Sequence, residues 1–273
     1  MKQKWYGGIL CEVSGAIYGI PHNAAGVLKI VPPSLKKGEE TELEVSVFGD
    51  LGQGKWKWHG GTITPDQTTI YGYPNNATTI LKINVTNDTT TLLSGPIYSG
   101  RHRTDDKYKY LGGAIHPVAE KLFLFPCDAE RVLTVDLKTD AVELVGPELL
   151  GPNKFQNGFY SAVDGAVYAI PQRASGVLRI GVDVDSHHNR VKEDASTVDL
   201  PNGNTSTTSS ACKTDKQQTL SVSVDVLYCG DEMSSCKDKF EGGVLGSDGC
   251  IYCIPLRAKR LIRIVPAGLT LES

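Results

Sequence analysis

The chain has 273 residues, 40 % of them hydrophobic, and a formal net charge of −3. That length allows a substantial core, while the near-neutral charge removes any general attraction to nucleic acid or anionic membrane. No apolar run approaches the ~18 residues of a spanning helix, and the opening MKQKWYGGIL has no signal-peptide hydrophobic region.

In chain order, the first unit starts at Lys4 with KWYGGILCEVSGAIYGIPHNAAGVLKI. The short apolar run after the glycines reads as a strand, Ser14-Gly15 as its turn, and residues 16–20 as a second strand. Pro21 ends that strand because proline brings no N–H to a central ladder. Val27, Leu28 and Ile30 alternate as a third strand with Lys29 turned outward, and residues 43–47 alternate as a fourth. The second unit repeats this from Lys57, with an aromatic strand at 70–73, Pro74, and a fourth strand at 91–93. The third runs from Lys109 through 122–125, Pro126 and 142–145. The fourth runs from Lys154 through the turn Asp164-Gly165, then 167–170, Pro171 and 220–224. The fifth, from Lys239, is the cleanest copy: KFEGGVLGSDGCIYCIPLRAKRLIRIVP.

Each of the five prolines is followed three residues later by alanine: Ala24, Ala77, Ala129, Ala174 and Ala258. Units this small cannot fold alone and must share buried surface with their neighbours. Four antiparallel strands per unit, without a convincing amphipathic helix, describe a propeller blade. The expectation is an all-β protein, one β-propeller domain with five recognisable four-stranded blades at about 4–53, 54–106, 107–151, 152–236 and 237–273. A polar insert at about 185–218, rich in Ser and Thr, is too poor in apolar residues to repay its ordering entropy and is expected to be mobile. The pattern begins and ends inside a repeat, which reads as part of a larger propeller.

The units SDGCIYCIPLRAKRLIRI and VDGAVYAIPQRASGVLRI resemble blades of the propellers grouped around streptogramin lyases, YncE-like proteins and SMP-30/gluconolactonases. The resemblance covers all five units at the level of architecture. It implies chemistry at the mouth of a central channel: His and Glu with magnesium in the lyases, acidic or Asn ligands for a divalent metal in the lactonases. Glu12 is the only carboxylate within the inner runs just after the glycines, and no second acid faces it in the pattern.

Residues that vary inside the repeated frame are the candidates for binding, because loops on a rigid scaffold carry function. Just after each proline come His22-Asn23, Asn75-Asn76, Cys127-Asp128, Gln172-Arg173 and Leu256-Arg257, all expected at one end of the ring. The Lys-aromatic-x-Gly approach should reach the same end and adds Tyr6, His59, Leu111, Gln156 and Glu241. The candidate ligand-binding set is therefore His22, Asn23, His59, Asn75, Asp128, Gln172, Arg173 and Arg257, with the arginines expected to point into water.

Other patterns read as structure. The recurrent Trp5, Trp58, Tyr110, Phe155 and Phe240 fit packing between blades better than a stacking surface. The glycine pairs lack the helix that a phosphate loop needs, and close backbone approach explains them. A chelate would require His22, His59 and His116 to converge from three blades. Cys250 and Cys253 sit three apart on a strand and so face opposite ways, a poor metal or redox pair. Cys229 and Cys236 read equally as a small disulfide ring or as two free thiols. Four asparagines in N-x-[S/T] sequons, Asn76, Asn84, Asn87 and Asn204, lean toward an extracellular or lumenal glycoprotein.

The functional expectation is a non-enzymatic binding or scaffold propeller that presents a protein or glycan ligand to the post-proline face, without catalytic residues, metal, cofactor or nucleic-acid partner. The alternative is a metal-dependent lyase- or lactonase-like enzyme acting at the central channel.

Overall fold

In the computed structural model, residues 2–34, 36, 41–184, 220–231 and 235–269 are described, and every strand below falls among them. The first sheet is β1 (Trp5–Leu10), β2 (Ile17–Pro21), β3 (Val27–Val31) and β4 (Glu44–Phe48). The second is β5 (Trp58–Ile63), β6 (Thr69–Pro74), β7 (Ile80–Asn84) and β8 (Thr89–Leu93). The third is β9 (Tyr110–His116), β10 (Lys121–Pro126), β11 (Val132–Asp136) and β12 (Val142–Val145). The fourth is β13 (Phe155–Ser161), β14 (Ala166–Pro171), β15 (Gly176–Val184) and β16 (Leu220–Tyr228). The fifth is β17 (Phe240–Leu245), β18 (Ile251–Pro255) and β19 (Ile262–Ile264).

Within each sheet, strands pair antiparallel in chain order, which makes each sheet a meander. The first strands lie side by side around the centre: β1 beside β5, β5 beside β9, β9 beside β13, β13 beside β17. This is an all-β propeller with five blades. The fifth blade has three strands among the described residues, and the expected fourth strand in the tail falls largely on residues 270–273, outside them. The insert expected at 185–218 also lies outside the described residues.

Among the described residues the buried surface is not one core but four clusters, each between consecutive blades. Tyr18, Ile20 and Val27 pack on Trp58 and Leu81; Tyr71, Tyr73 and Ile80 pack on Tyr110 and Leu133. Phe123, Phe125 and Val132 pack on Phe155 and Leu178; Tyr168, Ile170 and Val177 pack on Phe240 and Cys253. The first aromatic of units two to five is thus a wedge between blades, and Trp58, Tyr110, Phe155 and Phe240 are all 2 % exposed or less.

The repeated lysine, silent in the sequence reading, joins the blades. Its Nζ reaches back to carbonyls of the preceding blade's post-proline turn. Lys57 donates to Ala24 O, Lys109 to Asn76 O and Ala77 O, Lys154 to Cys127 O, and Lys239 to Gln172 O and Ala174 O. An ammonium has three donors and no acceptor, so a nest of carbonyls satisfies it when it is buried. The same lysine's backbone carbonyl accepts from the turn of its own blade, including the conserved-in-repeat alanine: Ala24 N to Lys4 O (2.9 Å) and Ala77 N to Lys57 O (3.1 Å). These bonds bring the post-proline turns and the lysine approaches to one end of the ring, as expected.

The glycine pairs sit where first strands crowd together. A Cβ on Gly112 would lie 2.4 Å from Asn157 N in the next blade. Lys29 is not simply turned outward: its Nζ pairs with Asp88 of the second blade at 2.7 Å, and Lys82 pairs likewise with Asp140 of the third.

Candidate functional site

The residue before each repeated lysine holds a left-handed backbone: Gln3 (φ 53°), Trp56 (φ 55°), Tyr108 (φ 55°), Asn153 (φ 49°) and Asp238 (φ 51°). Asn and Asp tolerate that region; bulky aromatics pay strain there. Trp56 and Tyr108 nevertheless occupy it, and their rings meet edge-on at 5.7 Å.

Around them lies a cleft of about 160 Å3 lined by Gln3, Tyr6, His22, Trp56, His59, Asn75, Tyr108 and Leu111. Blades one to three each contribute. Tyr6 stacks on His59 with centroids 3.9 Å apart, and His22 stacks on Trp56 at 5.5 Å. His22 Nδ1 lies 2.9 Å from Trp58 O. A carbonyl only accepts, so Nδ1 carries a proton, and in the neutral ring Nε2 is the acceptor. Burial, followed by the neighbouring His22, pulls the His59 imidazole down to about 4, so it is neutral at physiological pH. Burial and then Glu241 push the Tyr6 phenol above its usual range. Asn75 is 1 % exposed, and its Oδ1 is a buried acceptor without a hydrogen-bond partner among the described residues.

Of the eight residues singled out from sequence, His22, His59 and Asn75 converge in this cleft. The other five stand elsewhere. The second residue after each of the first four prolines latches neighbouring blades together. Asn23 Oδ1 accepts from Trp56 N at 2.7 Å, and Asp128 Oδ1 from Asn153 N at 2.6 Å. Asp128 also pairs with Arg103 at 2.9 Å. Arg173 Nε pairs with Asp238 at 2.9 Å, and Arg257 approaches the same carboxylate at 3.7 Å. The expectation that both arginines simply face water is corrected for Arg173, which is tied across the joint between blades four and five. Gln172 donates to Gln156 further round the ring.

Trp56, Tyr108 and Tyr6 complete the cleft and were not in that set. Trp56 and Tyr108 precede the lysine in a position whose residue type varies, and only the backbone angle marks them.

The larger groove, about 580 Å3, lies between blades four and five beside Leu149, Val226 and Cys236. Its buried cation Lys154 is committed to Cys127 O and Gly151 O, and its Arg173 to Asp238. The cleft is the better candidate because it carries uncommitted polar atoms.

The metal that the family resemblance implies does not fit these residues. His116 is remote from His22 and His59, accepting from Ala119 N at Nδ1 and reaching Gly165 O through Nε2. Glu12 lies beyond the far end of β1 from Tyr6. Among the described residues no three His, Cys, Asp or Glu side chains group as a metal site requires. Cys229 and Cys236 are free thiols, as are Cys250 and Cys253. No helix among the described residues is long and apolar enough to cross a membrane.

No family model matches the sequence, and no curated protein matches it. Solved structures do match in fold. Virginiamycin B lyase from Staphylococcus aureus aligns with a TM-score of 0.60 at 13 % identity, over 98 % of this chain and 69 % of that one. A streptogramin B lyase aligns at 0.57 and 13 %, over 97 % and 67 %. A putative 6-phosphogluconolactonase from Bacteroides uniformis ATCC 8492 aligns at 0.58 and 12 %, over 97 % and 69 %. The chain is a β-propeller resembling the streptogramin lyase group, and it spans about two thirds of the length of these structures.

Proposed function

We propose that this propeller is a binding protein whose ligand seats on the post-proline face, in the cleft formed by Tyr6, His22, Trp56, His59, Asn75 and Tyr108. The observation that carries this reading is the convergence, from three blades, of residues that differ at positions the repeat otherwise holds constant in conformation. Repeated lysines and aromatics close the blades, and His22, His59 and Asn75, among the divergent residues, face a common space. The site offers stacking surfaces and hydrogen-bond acceptors, which suit it to holding a ligand.

The fold is shared with a lyase and a lactonase-like protein, and the competing reading is an enzyme of that kind. The two separate in one experiment. The purified protein is applied to a glycan array and a displayed-peptide library, and in parallel assayed for lactone hydrolysis with and without chelator. Capture of a probe by the parent, lost on replacing His22 and Asn75 by Ala and indifferent to chelator, supports binding. Chelator-sensitive turnover would overturn it.

A further inference from the structure

We infer that the cleft takes a neutral sugar ring: one residue of a glycan, stacked through its C–H face on Trp56 and anchored by an O–H or N–H donated to Asn75 Oδ1. This rests on the cleft being the binding site and adds the chemistry of what fills it.

Asn75 supplies the first observation. An acceptor buried without a partner is costly, and a native site that keeps one implies that something donates to it. The backbone of Asn75 is fully used in the frame, its N donating to Lys57 O and its O accepting from Lys109 N, so the side chain alone is spare. His22 Nε2 adds a second acceptor on the same wall, because Nδ1 is committed to Trp58 O. Two acceptors select a ligand rich in donors.

The backbone supplies the second. Blades four and five place Asn153 and Asp238 at the left-handed position, residue types that accept it readily. Blades two and three place Trp56 and Tyr108 there instead, and Trp56 remains 37 % exposed with its ring over the cleft. Strain retained for an exposed aromatic points to use of the ring rather than to packing. Tyr108 is itself covered by the Arg103 guanidinium at 4.7 Å and Tyr6 stacks on His59 at 3.9 Å, which leaves the exposed part of Trp56 as the stacking surface.

Charge and size narrow the class. His59 is neutral near pH 7, and no Asp, Glu, Lys or Arg side chain lines the cleft. Arg103 pairs with Asp105 and Asp128 and has no charge to spare. A formally charged ligand would lose hydration there without compensation. At about 160 Å3 the space lies below the range of drug-sized pockets, which fits one ring and not a fused system.

The test is titration of the whole protein with glucose, mannose, galactose and N-acetylglucosamine, read by saturation-transfer NMR and tryptophan fluorescence. Glucuronic acid and glucosamine serve as charged probes and indole as a flat aromatic one. Trp56→Asn relieves the left-handed strain, and Asn75→Leu removes the orphan acceptor, so both should melt no lower than the parent. Each should nonetheless weaken binding of a neutral sugar at least tenfold. If only a charged probe or indole binds and both substitutions abolish it, the neutral-sugar inference fails while the cleft stands. Should a sugar bind equally well to both variants, the inference and the cleft fail together. If no probe binds the parent, the inference is wrong.

Discussion

His59 shows how a single residue's surroundings set its behaviour. It sits against Tyr6 and His22 in the cleft, and its folded-state pKa, about 4, is below the ordinary 6.5. The fold therefore stabilises the neutral ring. Its contribution is fully present above about pH 6.5 and is lost as pH falls toward 4, where the unfolded chain takes up a proton that the folded chain refuses. At 1.36 kcal/mol per unit the loss amounts to about 2–3 kcal/mol after allowance for partial exposure. Denaturation of the parent at pH 7 and pH 4.5 should show that drop beyond the loss from carboxylates. His59→Gln, a neutral replacement of similar reach, should reduce the difference by the same amount; an unchanged difference would mean the imidazole titrates normally.

An element in this protein is a blade joint, and the lysine is what makes the joint polar as well as apolar. Lys109 is fully buried, with its Nζ on Asn76 O, Ala77 O and Asp106 O and a 3.1 Å contact to Asp106 Oδ2. Burial pulls the ammonium of Lys57, Lys109 and Lys239 below the usual lysine range and that of Lys154 down to about 8, so the charge is held against its solvation preference. Replacing Lys109 by Met keeps the volume but strands carbonyls that water cannot reach. Loss of stability on the order of 3 kcal/mol is expected from that desolvation. Lys4 occupies the same place in the motif but is exposed, with its Nζ 5.7 Å from the Trp5 ring. Lys4→Met should change stability by no more than about 0.5 kcal/mol. Urea unfolding of the two variants side by side measures the contrast, and equal effects would rule out the joint as the lysine's role.

Across the whole molecule, stability is a chain of nearest-neighbour contacts, as in any repeat protein. Interior faces are closed: Ile20, Phe125 and Ile170, each just before the proline, are all 0 % exposed. Ile254, the same position in the fifth blade, is 47 % exposed, and Leu10 on the first blade is 52 % exposed. Phe125→Ala opens a cavity between blades three and four and should cost about 3–5 kcal/mol. Ile254→Ala removes a side chain already half in water and should cost under about 1 kcal/mol. Hydrogen exchange should follow the same order, with β10 and β14 protected longest and β18 shortest. Uniform protection across all five blades would refute a chain of independent joints.

The sequence by itself determined the blade, because strand alternation, Asp-Gly turns and a proline stop are local signals that five copies reinforce. It also marked one end of the ring as variable, and His22, His59 and Asn75 were legible there as the residues that differ where the frame repeats. What it left hidden depends on contacts across blades, whose partners lie some 20 to 65 residues away. The lysine marked only where each unit begins, and the carbonyls of the preceding turn that surround it belong to another blade. Asn23 and Asp128 looked equivalent to His22 and Asn75, yet neighbouring turn residues point opposite ways: one into the cleft, the next into the joint. Trp56 and Tyr108 carried no pattern at all, since a left-handed backbone is a property of conformation rather than of composition. Only the tertiary structure, by packing three blades around one opening, decided that these rings and the spare oxygen of Asn75 share a single cleft.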